Sequence, residues 1–295
     1  MKRHFRISGM LLLIGLAAAS AVGSPSAQET PEFSLEKVAG DVYCLYGAGG
    51  NIGILKTGEG LLLVDAQYSR TAETALARIR ELSDQPVRFL INTHYHGDHT
   101  DGNSILGKGA VIMAHVNCRE SFLRGLGPEE SPEAKGAPGK TFEMEDVVEM
   151  GGERIRLRHF GPGHTAGDTV VVFEKAGVIH TGDLFFHGLP PYIDVEDGSD
   201  TGNWVRTIGR LAERYPDFML IPGHGRVATM RDWVGFAEYL KFLRARVKAA
   251  IDEGKTREQA VASIDTTRFA DIGDQGEFLT KSKNVGWIYD EMTRK

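Results

Sequence analysis

Cysteine is scarce: the 295-residue chain carries two, Cys44 and Cys118. That excludes a disulfide framework and a cysteine-rich zinc module. Excess basic charge is also missing. Lys and Arg total 34 against 40 Asp and Glu, for a net charge of −6. A mildly acidic chain is not built to grip a phosphate backbone. No glycine-rich nucleotide fingerprint or phosphate loop opens a helix, and no apolar run is long enough to span a bilayer. With 41% hydrophobic and 25% charged residues the composition is globular, not disordered, collagenous or polytopic. The one residue in excess is glycine, 36 in all, and several of these stand beside histidines at sharp turns.

Lys2, Arg3, His4 and Arg6 precede an apolar run over residues 10–19, and small residues follow. That order predicts a signal peptide over residues 1–23, cut between residues 21 and 27. The mature protein is then exported, with a bacterial periplasm as its expected location and no membrane anchor. A buried N-terminal helix is the alternative. In an oxidising compartment Cys44 and Cys118 have the opportunity to pair, but the apolar strand pattern around Cys44 favours a free core thiol. Residues 29–295 show no linker or composition break and are expected to form a single domain.

Apolar runs predict strands over 42–45, 52–55, 61–64, 87–92, 111–114, 155–160, 169–173, 178–181 and 218–221. Helical spacing appears over 71–82. It recurs on a longer segment through Trp233, Phe236, Leu240, Leu243, Val247 and Ile251, and on a short one through Trp287, Ile288 and Met292. Residues 125–139 are expected to form a surface loop. Partial alternation within strands and short turns between them suit an α/β (α+β) chain. Two mixed β-sheets would pack face to face, with helices outside.

The chemistry is concentrated after the strand predicted over 87–92. There His94, His96, Asp98 and His99 fall within six residues. Four such side chains are too costly to bury unpaired and too dense for an incidental solvated face. Alternate spacing puts His94 and His96 on one side of an extended segment. A turn at Gly97 lets Asp98 and His99 face a second point. His164, Asp183 and His224 each follow an apolar strand and a small-residue turn.

This set resembles the metallo-β-lactamase superfamily, whose signature is H-x-H-x-D-H followed by a separate His, Asp and His. The likeness runs from about residue 42 to 224. It implies an αββα sandwich with metals at one edge. It further implies that His94, His96 and His164 bind a first ion, Asp98, His99 and His224 a second, and that Asp183 bridges them. Nitrogen and oxygen ligands favour two Zn2+, with iron or manganese as alternatives. Asp65 matches an acidic position that supports the metal loop from behind.

Two cations ~3.5–4 Å apart can share a water and lower its pKa toward ~7, with Asp98 orienting the resulting hydroxide. The expected enzyme is therefore a metal-dependent hydrolase acting on an ester or amide carbonyl of a small molecule, with no nucleic-acid partner. β-Lactam hydrolysis, and with it antibiotic resistance, is the leading expectation. A lactonase or glyoxalase-II-like thioesterase is the alternative, and a non-hydrolytic metal-binding or redox accessory protein a remoter one. The family's best-known lactamases carry a Cys where this chain has Asp183 and a substrate-binding Lys where it has Phe186. Phe186, His187 and Tyr192 are candidates for the pocket wall, and protonated His187 is a candidate partner for a lactam carboxylate. Trp204 is assigned equally to wall or core. His115, His159 and His180 are read as structural, His115 at a helix start. Oligomeric state is not specified by the sequence.

Overall fold

Alternation within the first strands decides the layering. In a strand successive side chains face opposite ways, so a strand apolar at every position must be covered on both faces. Gly60–Val64 is buried throughout. Its Leu62 and Val64 enter one hydrophobic cluster, and Leu61 and Leu63 enter another. The computed structural model shows what covers each face. It describes residues 33–127 and 130–294; the expected signal peptide and its cleavage region lie outside these residues.

The strands of the first sheet are β1 (Ser34–Ala39), β2 (Val42–Tyr46), β3 (Ile52–Thr57), β4 (Gly60–Val64), β5 (Val87–Ile91), β6 (Val111–His115) and β7 (Lys140–Phe142). They pair in sequence order. Pairing is antiparallel from β1 to β4 and parallel from β4 to β7. The second sheet holds β8 (Glu145–Met150), β9 (Glu153–Arg158), β10 (Val170–Phe173), β11 (Val178–Phe186), β12 (Met219–His224) and β13 (Ala228–Thr229), in the order β13-β12-β11-β10-β9-β8. Only β11 and β12 are parallel there. The helices are α1 (Ser69–Leu82), α2 (Gly97–Thr100), α3 (Asn103–Leu106), α4 (Val116–Arg124), α5 (Pro132–Lys135), α6 (Thr201–Arg214), α7 (Met230–Asp252), α8 (Arg257–Ser263) and α9 (Lys281–Thr293).

Three hydrophobic clusters separate the four layers. Val42, Cys44, Leu62, Ile91, Leu157, Phe173 and Ile221 pack between the sheets. Ile54, Leu63, Ala72, Ala75 and Ile79 join the first sheet to α1. Val172, Trp204, Ile208, Trp233, Leu240 and Ile288 join the second sheet to α6, α7 and α9. The molecule is an αββα sandwich of two mixed sheets. Cys44 and Cys118 are both buried and free. No helix among the described residues is long and apolar enough to cross a membrane.

Several boundaries differ from those the sequence predicted. The strand expected over 178–181 runs on to Phe186, with register shifts on either side of Gly182. Gly182 has φ +51, so the chain bulges there and keeps pairing beyond Thr181. The strand expected over 155–160 starts earlier, at Glu153, because Gly151 and Gly152 turn it back from β8, a strand whose charged residues hid it. Within the loop expected over 125–139, residues 132–135 form the one-turn helix α5. Trp204 belongs to the core: it is fully buried, and its indole N–H donates to the Leu184 carbonyl at 2.8 Å.

Candidate metal centre

The C-terminal ends of β5, β9, β11 and β12 open on one edge of the sandwich and carry the polar residues found in the sequence. Their side chains gather in two groups: His94, His96, His164 and Asp183, and Asp98, His99 and His224. In each group the candidate ligand atoms lie within 4.8 Å of one another. Asp183 lies between the groups. Its Oδ2 is 3.7 Å from His94 Nε2, 3.5 Å from His164 Nε2 and 3.5 Å from His224 Nε2. Its Oδ1 faces His99 Nε2 at 3.1 Å.

Local structure aims these groups. His96 precedes the single turn α2, so Asp98 and His99 swing away from the side that His94 and His96 share. The turn is tied down by Thr100 Oγ1, which donates to the carbonyls of Tyr95 and His96. Parallel pairing of β4 with β5 brings Asp65 beside Thr93. The Asp65 carboxylate accepts from Thr93 N, Thr93 Oγ1 and His99 Nδ1 at 2.7, 2.7 and 2.8 Å. Asp65 thus supports the loop from behind, at the cost of a left-handed φ of +67, a strain of about 1–2 kcal/mol for a residue with a side chain. Two glycines are required by close approach: a Cβ at Gly50 would strike the His99 ring, and one at Gly223 would strike Asp183 Oδ1.

The hydrogen bonds fix the histidine tautomers. His164 Nδ1 lies 2.8 Å from the Tyr192 carbonyl, which can only accept, so Nε2 offers a lone pair. His96 Nε2 lies 2.9 Å from the Asp194 carboxylate, leaving the lone pair on Nδ1. Thr93 Oγ1 spends its proton on Asp65 and therefore accepts from His94 Nδ1 at 3.0 Å, leaving the lone pair on His94 Nε2. His96 Nδ1 then faces both His94 Nε2 and His164 Nε2 at 3.0 Å. Three converging lone pairs repel one another unless a cation lies among them. His99 Nε2 and Asp183 Oδ1 are moreover buried and, although 3.1 Å apart, make no well-aligned hydrogen bond to each other or to any other group. Nitrogen and carboxylate donors without thiolate fit a divalent metal.

Electrostatics agree with that fit. Burial holds His94 well below the usual imidazole value and brings His164 down to about 4, so both rings stay neutral and able to ligate. Against its own burial, His99 is raised well above the usual value by Asp183, Asp98 and Asp65. His224, likewise against burial, rises to about 9 beside Asp183 and Asp98. Asp98 overcomes its burial through His99 and His224 and falls to about 2. The two histidines of the second group therefore sit among the carboxylates of Asp98, Asp183 and Asp65, which demand positive charge.

A cavity of about 460 Å³ opens on the groups and is lined by His96, Asp98, Asp183 and His224 together with Phe186 and Tyr192. His187 does not line it. Alternation at the end of β11 sends Phe186 to the cavity and Phe185 and His187 the other way. The His187 ring lies tilted against Phe185 at 5.4 Å, and its Nδ1 donates to the Arg226 carbonyl at 2.8 Å. The remaining histidines among the described residues have structural partners. His115 caps α4 by accepting from Asn117 N and stacks on His159 at 3.8 Å. His180 Nε2 faces the Asn51 carbonyl at 3.2 Å. Sequence reasoning missed Tyr68, Tyr95, Asp194 and Phe278. Tyr95 sits inside the histidine cluster and was visible there. Asp194 and Phe278 carry no local signal.

A four-layered sandwich whose edge converges imidazole and carboxylate lone pairs on one cavity defines a metal-dependent enzyme. The chain belongs to the metallo-β-lactamase superfamily, a family of metal-dependent hydrolases, whose family model matches residues 45–224. It is 25% identical over 257 residues to the 2,4-dinitroanisole O-demethylase subunit alpha of Nocardioides sp. (strain JS1661), covering 84% of this chain and 72% of that one. It is 28% identical over 173 residues to metallo-beta-lactamase IND-1 of Chryseobacterium indologenes, covering 58% and 69%. Among solved structures, a metallo-beta-lactamase from Pontibacter korlensis superposes with a TM-score of 0.62 at 22% identity, covering 71% of this chain and 99% of that one. The sec-alkylsulfatase Pisa1 from Pseudomonas sp. superposes with a TM-score of 0.70 at 16% identity, covering 88% of this chain and 50% of that one. These likenesses establish the fold.

Proposed function

We propose that the protein is a binuclear zinc hydrolase that opens a carbonyl–oxygen or carbonyl–nitrogen bond of a small molecule. The observation that carries this is the convergence of His94, His96 and His164 lone pairs beside a second group, with Asp183 between them. His94, His96, His164 and Asp183 would hold one ion, and Asp98, His99, His224 and Asp183 the other. Zinc held by these residues would supply Lewis acidity and would lower the pKa of a water toward neutrality. Asp98 stays ionised and lines the cavity, so it can accept a hydrogen bond from the attacking water and orient it. Phe186 and Tyr192 shield the reacting carbonyl from bulk solvent. No serine or cysteine nucleophile is needed.

The relatives carry different names, a metallo-beta-lactamase and a 2,4-dinitroanisole O-demethylase subunit among them, so the cavity has to choose the substrate. No Lys or Arg lines it among the described residues, and His187 is turned away. A β-lactam carboxylate would therefore lack a cationic partner. That absence favours uncharged esters and lactones as the reading to test against β-lactams, the leading expectation from sequence, and against glutathione thioesters. The basic, apolar and small-residue order of the first residues supports export to a periplasm.

The deciding test is kcat/KM of the zinc-loaded protein on a penicillin, a carbapenem, a lactone, an uncharged ester and a glutathione thioester. Esters or lactones should lead by more than about tenfold, roughly 1.4 kcal/mol of transition-state preference. Leadership by the penicillin would restore the lactam assignment, and no turnover of any would sink the hydrolase.

A further inference from the structure

We propose that the cavity beside the metal groups takes an uncharged aromatic ring, so that the substrate is an aryl ester. This rests on the hydrolase function proposed above and names its substrate class. Apart from the candidate ligands and Gly97, the cavity is lined by Tyr68, Tyr95, Phe186, Tyr192, Phe278 and Leu279. Five of these six are aromatic.

Two cations beside the wall are already engaged. The Arg70 guanidinium lies 3.9 Å over the Tyr68 ring, and Lys283 Nζ lies 5.4 Å from the centre of Phe278. Neither side chain lines the cavity, so nothing in the wall selects for a charged ring.

Phe278 is the one exposed side chain among these six. It is 60% exposed, yet it is a large apolar side chain at the cavity. Its ring is part of an array: Tyr192 lies 5.5 Å away, Trp287 6.2 Å, and Tyr192 and Trp287 are 5.1 Å apart. These spacings fall in the range where aromatic rings attract one another. A ring entering the cavity would extend the array and cover the exposed phenylalanine. An engineered cavity of ~150 Å³ already holds benzene, so about 460 Å³ accommodates an aryl group together with its acyl group.

The chemistry balances with water as the only co-reactant. The acyl carbon gains a bond to the water oxygen, and its bond to the aryl oxygen breaks. The products are a carboxylic acid and a phenol, the phenol taking its proton from water. Nothing is oxidised or reduced.

The test uses the full zinc-loaded chain with two readouts. The first is kcat/KM for phenyl acetate and for 2,2,2-trifluoroethyl acetate, each divided by that ester's rate with hydroxide to remove leaving-group reactivity. The second is ligand-observed NMR binding of 4-methylphenol against 4-methylcyclohexanol. The aryl member should be preferred by at least about tenfold in both, and 4-acetoxybenzoate, which adds a charge, should react more slowly than phenyl acetate. Phe278→Ala should shrink both preferences about threefold to tenfold, as expected for one lost ring contact, and Phe278→Tyr should retain them. Equal treatment of aryl and alkyl members, faster reaction of the charged ester, or ratios unmoved by Phe278→Ala would overturn the aryl assignment while leaving hydrolysis intact. Preferential, Phe278-dependent binding of 4-methylphenol without turnover of either ester would uphold the ring site and overturn the hydrolase.

Discussion

Asp194 Oδ2 lies 2.9 Å from His96 Nε2 and fixes which nitrogen of that ring is left to bind a metal. The same oxygen accepts from the Tyr95 hydroxyl at 2.6 Å. Against burial, these two hydrogen bonds together with one from the Asp197 backbone N–H hold the Asp194 carboxyl below the usual carboxylate range. Two residues earlier, the Tyr192 carbonyl fixes His164 in the same way. One loop therefore orients two of the three imidazoles in the first group.

Asp194→Ala should weaken zinc binding by roughly tenfold to a hundredfold, the usual effect of removing a group that orients a metal ligand. Competition with a chromophoric chelator measures it. The Co2+-substituted variant should also show a shifted visible spectrum, which a purely structural role would not produce. Unchanged affinity and spectrum would remove Asp194 from the metal centre.

Asp183 faces both groups, so its removal should affect both ions. Elemental analysis should find two zinc ions per fully loaded wild-type chain and fewer in Asp183→Ala. Activity should fall by orders of magnitude. A variant that kept two ions and its rate would show that the carboxylate does not bridge.

Protons and zinc compete at the second group. His224 has its pKa raised from 6.5 to about 9, and His99 is raised as well. A histidine raised in the folded state stabilises fully below its unfolded pKa of about 6.5 and loses that contribution as pH climbs through the folded value. With chelator present, the melting temperature should therefore fall between pH 6.5 and 9. Zinc affinity should rise over the same window, because binding has fewer protons to displace. Thermal scans and zinc titrations at several pH values check both, and a melting temperature in chelator that rose with pH would contradict the charge assignment.

Acid acts on a different pair. Burial, and then the neighbouring His159, lower His115 from 6.5 to about 4. A lowered histidine contributes its full stability above about 6.5 and loses it as pH falls toward 4, because the unfolded chain takes up the proton first. That loss can reach roughly 3 kcal/mol. Asn at this position can still cap the helix but does not titrate. Urea unfolding of wild type and His115→Asn at pH 7.5 and pH 4.5 should show the smaller pH effect in the variant. An equal drop in both would free His115 of the role.

The particular residues show how much of this was legible beforehand. His94, His96, Asp98 and His99 stand within six positions, and their grouping is a local property of spacing and a single turn. His164, Asp183 and His224 were found because each follows an apolar strand and a small-residue turn. The alternation of Leu61, Leu62, Leu63 and Val64 already required two packed faces. By contrast, the strand β8 was hidden because its outward positions are charged, leaving only Val148 and Met150 fully buried in the cluster between the sheets.

The sequence by itself therefore determined the two packed sheets and the candidate ligands, which depend on residue type and short-range periodicity that the chain carries without reference to distant segments. The division of those ligands between two ions and the supporting role of Asp65 were implied only by the family resemblance the motifs carry. The tertiary structure alone decided that β11 bulges at Gly182 and continues to Phe186, that Phe186 faces the cavity while His187 faces Arg226, and that Asp194 holds His96. It alone brought Phe278, nearly a hundred residues beyond Asp183, to the cavity. These outcomes rest on contacts between segments far apart in sequence, where the surrounding packing sets the direction of each side chain and no local spacing records it.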